Sequence, residues 1–203
     1  VQSIKEACIR LGMINVLQIA KQELLRECYQ LGDTQLDELS QAMWANATAT
    51  ATAARFLAQS VKLDSPLLHD AALFHNIGEI GLLSIVAKRQ VAERGRPDFR
   101  NRVIDAYVEH HATLGARILE DFGVAREVVD VARLHHDIVA LRRAGVDEKL
   151  GLVVQLAWEM ALEQGFGYPC RDHRFDVTAI CDQLGITVAN ARLTAVKAFS
   201  LLQ

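Results

Sequence analysis

The most restrictive feature of the sequence is a long apolar repeat between residues 34 and 61. Its apolar and small positions recur at the spacing of one helix face. These positions are Leu36, Leu39, Met43, Ala47, Thr50, Ala54, Leu57 and Val61. The middle of the repeat alternates alanine with threonine, but alanine is a poor strand former and both flanks keep the helical period. Because small side chains let another helix approach closely, the repeat predicts a long, central, packed helix.

Helical patterns continue through the rest of the chain, and capping residues precede several of them. Ser3 opens a capping box, Asn15 can cap a second helix, and Ser65 precedes Pro66 at a first helical position. The further predicted helices span residues 3–11, 15–31, 66–76, 79–93, 98–122, 125–137, 147–163, 176–184 and 187–202. With three prolines and no convincing strand pattern, the prediction is an all-α, multi-helix bundle in one domain over residues 1–203.

The composition excludes several classes of function. The net charge of −3 gives no global field that would favour nucleic acid or an anionic membrane, so we expect neither as a partner. We find no signal peptide and no apolar run of transmembrane length. The four cysteines lack metal-site spacing, which indicates reduced thiols and a cytoplasmic protein.

Histidines are the residues most able to carry chemistry. His75 is followed by Asn76, and two adjacent pairs occur at His110–His111 and His135–His136. Neutral imidazole is the commonest metal ligand in proteins. Neighbouring residues of a helix point about 100° apart, so each pair should send only one ring into a given site. His75, His111 and one ring of the later pair could therefore converge. The alternative is that all are ordinary histidines bonded to carbonyls or water.

Several motifs follow one another in an order that resembles the HDOD domain, the HD-related output domain of bacterial signalling proteins. The matching segments are Ser3–Ala7 with Arg10–Gly12, Trp44–Asn46, Leu73–Gly78, His111–Ala116, Phe122–Glu127 and Leu134–Asp137. The resemblance implies an HD-domain-like helical fold across nearly the whole chain. It also implies a further N-terminal helical lobe before Val1.

The resemblance also implies where a metal would lie, because the related HD phosphohydrolases bind a divalent ion through His, His-Asp and a distant Asp. Carried over, these positions fall near Asn46, on His75 and Asn76, and near Ala157–Trp158. Only His75 keeps its ligand type. A hard divalent cation loses most of its attraction to a site without carboxylates. The prediction is therefore a relic pocket formed by Asn46, His75, Asn76 and Trp158.

A different metal set stays open. The HD-GYP phosphodiesterases, which are also related, use extra histidines from helices like those of His111, His135 and His136. Together with His75 these could hold a borderline ion such as zinc. The tripeptide Gly167–Pro169 reads GYP but lies after the histidine pair, so we interpret it as a coincidence.

A basic segment between residues 88 and 102 could bind an anion, a nucleotide or an acidic partner. Its candidate residues are Arg89, Arg94, Arg96 and Arg100. A solvated loop explains the same charges, and the aromatic interleaving typical of RNA binding is absent apart from Phe99.

These observations favour a non-catalytic output or adaptor module of bacterial signal transduction, working through contacts with signalling proteins and without a cofactor. The alternative is a metal-dependent phosphohydrolase, and a third hypothesis is nucleotide binding by the basic segment. Apolar surface left by a missing lobe could also allow a homodimer.

Overall fold

The computed structural model describes residues 3–32, 34–89, 99–167 and 175–202. Within these ranges the chain forms eleven α-helices and no strand, which confirms the predicted all-α bundle. The helices are α1 (Ile4–Leu11), α2 (Met13–Cys28), α3 (Thr34–Ser60), α4 (Leu68–Phe74), α5 (Ile77–Arg89), α6 (Phe99–Asp121), α7 (Arg126–Leu134), α8 (Ile138–Arg143), α9 (Glu148–Glu163), α10 (Val177–Leu184) and α11 (Val188–Phe199).

Helix α3 lies at the centre of the bundle, as its repeat predicts. It packs against α4, α9 and α11. Ala49, Ala51, Ala53 and Ala54 are completely buried. Alternating residues of a helix point in different directions, so these alanines allow neighbours to approach α3 from more than one side.

Helix α9 is the other core helix. Asp147 caps its N-terminus by accepting a hydrogen bond from the backbone of Lys149. Every residue from Leu150 to Ala161 is buried. A helix that is apolar on nearly all sides is stable only inside a fold, and α3, α4, α8, α10 and α11 surround this one.

Helices α5 and α6 meet at their backbones. A Cβ atom placed on Gly78 would lie 1.9 Å from the carbonyl oxygen of His111 and 2.6 Å from the nitrogen of Gly115. Only glycine fits such a separation. This contact fixes the position of His111 relative to the start of α5.

Helices α1 and α2 contain no buried residue. Ser3 caps α1 as predicted, accepting from the backbone of Glu6. Polar contacts join α2 to α4: Lys21 donates to Asp70 at 2.5 Å, and Gln22 lies 3.2 Å from the ring of His69. Burial alone would raise the pKa of Asp70, but hydrogen bonds from His69 and Lys21 lower it.

Several helix boundaries differ from the predictions. Helix α2 begins at Met13, so Asn15 lies inside it and does not cap it, and α4 begins at Leu68 rather than at Pro66. The helix predicted over residues 125–137 ends at Leu134, because His135 and His136 form a turn and Asp137 caps the separate helix α8. The segment predicted as 66–76 and 79–93 forms α4 and α5, with a short break at His75 and Asn76.

The prediction that the chain contains no apolar run of transmembrane length is wrong for this same segment. Leu68–Lys88 is long and apolar enough to cross a membrane by length and composition. More than half of its most apolar window is buried inside the fold, as in a core helix of a globular bundle.

Candidate functional site

Three buried histidines are oriented by the same kind of backbone contact. The Nδ1 atoms of His75, His111 and His135 donate to the carbonyls of Ala72, Tyr107 and Ala132, at 2.8, 2.5 and 2.9 Å. A carbonyl only accepts, so Nδ1 carries the proton. In each neutral ring Nε2 is then the unprotonated atom, which is the form that binds a metal.

The Nε2 atoms of three histidines converge on one point. The Nε2 atoms of His111 and His135 are 3.3 Å apart, and those of His136 and His111 are 3.0 Å apart. One nitrogen from each of the three rings lies within 4.8 Å of the others. His111 comes from α6, whereas His135 and His136 come from the turn after α7.

This turn changes the expected geometry of the histidine pair. On a continuous helix only one ring of the pair could enter the site, and that expectation is wrong here. Because α7 ends at Leu134, the rings of His135 and His136 lie beside each other with centroids 4.0 Å apart. Both therefore face His111.

His75 lies next to this cluster. Its ring meets the ring of His135 edge to face, with centroids 5.3 Å apart. The Nε2 atom of His75 is buried without a hydrogen-bond partner, and so is Oδ1 of the following Asn76. Buried polar atoms without partners are uncommon because they lose their hydration without compensation, so the structure leaves two acceptors unused beside the histidines.

Burial keeps these histidines neutral. It lowers the pKa of His75 to about 4, with a smaller contribution from the charge of His111. Burial also holds the pKa of His135 well below its usual value, and the neighbouring rings of His136, His75 and His111 lower it further. At neutral pH both rings therefore offer lone pairs rather than positive charge.

The other two positions of the predicted relic pocket are occupied by packing residues. Asn46 is buried and its Nδ2 donates to the carbonyl of Phe166 at 3.0 Å. Trp158 is buried, with its ring 5.6 Å from that of Phe175. Phe175 in turn stacks on His136 at 5.6 Å. Trp158 is thus connected to His136 through the ring of Phe175.

Sequence reasoning missed two polar residues of α9 that support this site. Gln155 donates from Nε2 to the carbonyl of His135 at 2.5 Å. Glu159, almost fully buried, accepts from the backbone nitrogen of Phe175 at 2.5 Å. Polar residues in an otherwise apolar helix were the available signal, since buried polar groups need a defined partner.

The basic segment falls largely outside the described residues. Arg94 and Arg96 lie there, in the gap between residues 89 and 99. Arg89 is the last residue of α5, and Arg100 lies in the first turn of α6. Anion binding by this segment stays a prediction.

The residues present do not fit the hard divalent ion that the HD resemblance implies. The pocket of Asn46, His75, Asn76 and Trp158 offers one imidazole, amides and an indole, and no carboxylate. Magnesium and manganese prefer anionic oxygen ligands. The three-histidine cluster is a different donor set. Two ligands about 2.1 Å from a tetrahedral zinc ion lie roughly 3.4 Å apart, close to the nitrogen separations found here.

Comparison with protein families agrees with this fold and set of motifs. The model of the HDOD domain matches residues 1–138. Comparisons with curated proteins and with solved structures gave no significant match. The family match covers well over half of the chain, and the chain therefore belongs to the HDOD family.

Proposed function

We propose that this protein is a non-catalytic output or adaptor module of bacterial signal transduction, acting in the cytoplasm through contacts with signalling proteins. The observation that carries the proposal is the replacement of one metal-binding histidine and of both metal-binding carboxylates. Asn46, Asn76 and Trp158 stand at the positions that the HD resemblance assigns to ligands, and the structure uses Asn46 and Trp158 for packing and hydrogen bonding.

The replacement removes the chemistry that a hydrolase of this type needs. A divalent metal accelerates hydrolysis by polarising the phosphoryl oxygen and by lowering the pKa of its bound water. Both effects require a firmly bound ion. Neutral amides and an indole supply little attraction for a hard cation, so this pocket contributes packing rather than catalysis.

Exposed apolar side chains support the proposed role in protein contacts. Ile4 of α1 is 84% exposed, and Leu24 of α2 is 70% exposed. Other exposed apolar residues on the same two helices are Ile9, Leu11, Met13, Ile14, Leu17 and Ile19. Extended apolar surface marks protein interaction sites, and a signalling protein or a second copy of this chain are the partners that we propose for it.

A turnover assay tests the absence of catalysis. The purified protein is incubated with an activated phosphodiester, cyclic dinucleotides and nucleotides, each with magnesium, manganese or zinc. We expect no hydrolysis above that of His75→Ala. The matched control is His110→Ala, because His110 is exposed beside His111. Turnover that is lost in His75→Ala but kept in His110→Ala would show that the protein is an enzyme.

Metal-dependent phosphohydrolysis is the second candidate function, and one observation favours it. The convergent Nε2 atoms of His111, His135 and His136 form a donor set able to hold an ion. Adding His111→Ala to the turnover assay separates this candidate from the first, since only an enzyme would show hydrolysis that depends on this side chain.

A further inference from the structure

We propose that His111, His135 and His136 form a binding site for a borderline divalent cation of the zinc class, with His75 as the fourth nitrogen ligand. The site lies in the pocket discussed under the proposed function, but the three-histidine site does not require that the protein be non-catalytic. From the sequence we expected a domain without a cofactor. We propose instead that the domain binds a metal ion through imidazole nitrogens.

The first argument is the direction of the lone pairs. The Nδ1–H groups of His111 and His135 are both used by backbone carbonyls. Their Nε2 atoms nevertheless face each other at 3.3 Å. Two unprotonated nitrogens cannot hydrogen-bond to each other. In the metal-free protein the Nε2 of His136, 3.0 Å from that of His111, can donate to one of them and leaves the other without a donor. A cation between the two nitrogens converts their repulsion into attraction for both.

The second argument is preorganisation. Metal-ligating histidines usually donate their other N–H to a carbonyl or carboxylate, which fixes the ring and its tautomer. His75, His111 and His135 all have such a backbone anchor. Gln155 adds a further restraint by donating to the carbonyl of His135. Little rearrangement of His111 and His135 is therefore needed when an ion binds.

The third argument is selectivity. A set made of imidazole nitrogens suits zinc and its neighbours in the transition series, whereas magnesium, calcium and manganese prefer oxygen. No carboxylate contributes to the convergent cluster. We therefore expect zinc or cobalt to bind and magnesium to be ignored.

His75 is assigned to the fourth position by two observations. Its Nε2 atom is buried without a partner, and its ring lies against His135. This Nε2 is not among the ligand atoms that lie within 4.8 Å of one another, so the His75 ring must move towards the ion to complete the site. A zinc ion with four protein ligands forms a closed, structural type of site. Because the four histidines come from α6, from the turn after α7 and from the end of α4, such an ion would link these elements.

The test is metal binding by chelator-treated protein, measured by calorimetry with zinc and by the visible absorption of bound cobalt. We expect one zinc per chain, a cobalt spectrum typical of tetrahedral coordination, and no heat with magnesium. His111→Ala and His136→Ala should weaken zinc binding by about 100-fold or more, and His75→Ala by about 10-fold. His110→Ala is the control and should bind like the unaltered protein.

Folding of each variant is checked by circular dichroism, and zinc should also raise the Tm of the unaltered protein. Absence of stoichiometric zinc binding by the unaltered protein, or equal weakening by His110→Ala, would overturn the site. Full affinity in His75→Ala would overturn the fourth ligand. Zinc binding without turnover supports both proposals. Turnover with zinc bound overturns the non-catalytic function and also the fourth protein ligand, because a closed site has no open position for catalysis.

Discussion

Helices α2 and α9 have the same length, 16 residues, and opposite environments. Both are rich in apolar side chains. Helix α9 buries twelve consecutive residues, from Leu150 to Ala161, whereas α2 buries none. The difference lies in their partners, because α9 packs against five helices, whereas α2 reaches α4 through the polar contacts of Lys21 and Gln22. Apolar composition alone therefore does not place a helix in the core.

The largest expected difference between the two helices concerns the loss of a leucine side chain. Leu156 of α9 is fully buried, and Leu24 of α2 is 70% exposed. We expect Leu156→Ala to lower the free energy of unfolding by about 4 kcal/mol, because it leaves a cavity. Leu24→Ala should change it by less than about 0.5 kcal/mol. Urea denaturation measures both. Similar losses for the two variants would mean that α2 is covered in solution.

A second difference is pH dependence, because the core beside α9 contains neutral histidines and α2 has none. The pKa of His75 falls to about 4 in the folded state, so at mildly acidic pH the unfolded chain binds more protons. The stability of the metal-free protein should fall as the pH drops from 6.5, reaching a loss of about 3 kcal/mol from His75 near pH 4. His135 acts in the same direction.

Unfolding by urea at a series of pH values measures this effect, with His75→Gln as the comparison. The variant should show a flatter profile between pH 4 and 6.5. Asp70 does not contribute in this window, because its lowered pKa affects stability only below about pH 4. An unchanged slope in His75→Gln would contradict the prediction.

A buried and an exposed carboxylate provide the third comparison. Glu159 of α9 accepts a hydrogen bond from the backbone of Phe175. Glu159→Ala leaves that donor without its acceptor, so we expect a loss of about 2 kcal/mol in the free energy of unfolding. Glu159→Gln keeps an acceptor oxygen and should lose less. Glu27 of α2 is exposed, and Glu27→Ala should have almost no effect in the same thermal or urea unfolding experiment.

The smallest effect on stability is expected from charges on the outer face of α2. The double variant Leu17→Glu and Leu24→Glu should unfold within about 0.5 kcal/mol of the unaltered protein, because both side chains are mostly exposed. Sedimentation of the unaltered protein at increasing concentration should show self-association, and the double variant should not self-associate. If the unaltered chain stays monomeric throughout, the proposed homodimer is wrong.

Local sequence signals predicted the long helices well. The predicted helix over residues 34–61 is α3, Thr34–Ser60, and the one over 147–163 is α9, Glu148–Glu163. Periodicity and caps lie within each segment, so no knowledge of the rest of the fold is needed. The break at His135 was not predictable in this way, because nothing before Asp137 stops a helix.

The candidate site shows the same limit. Residue type alone identified the histidines, but their arrangement depends on where α7 ends. The contact between Glu159 and Phe175 joins residues sixteen positions apart. Its formation depends on the path of the chain after α9, which local patterns do not specify. Geometry at such sites follows from tertiary packing rather than from the motif.

The backbone contact at Gly78 bears on how a domain of this type can change over evolutionary time. A side chain at this position would collide with the carbonyl of His111, whether or not any ion is bound. Selection for a stable fold would therefore retain this glycine even after every ligand had been exchanged. The glycine at residue 78 therefore reports the steric demands of two crossing helices and is not, by itself, a sign of catalysis.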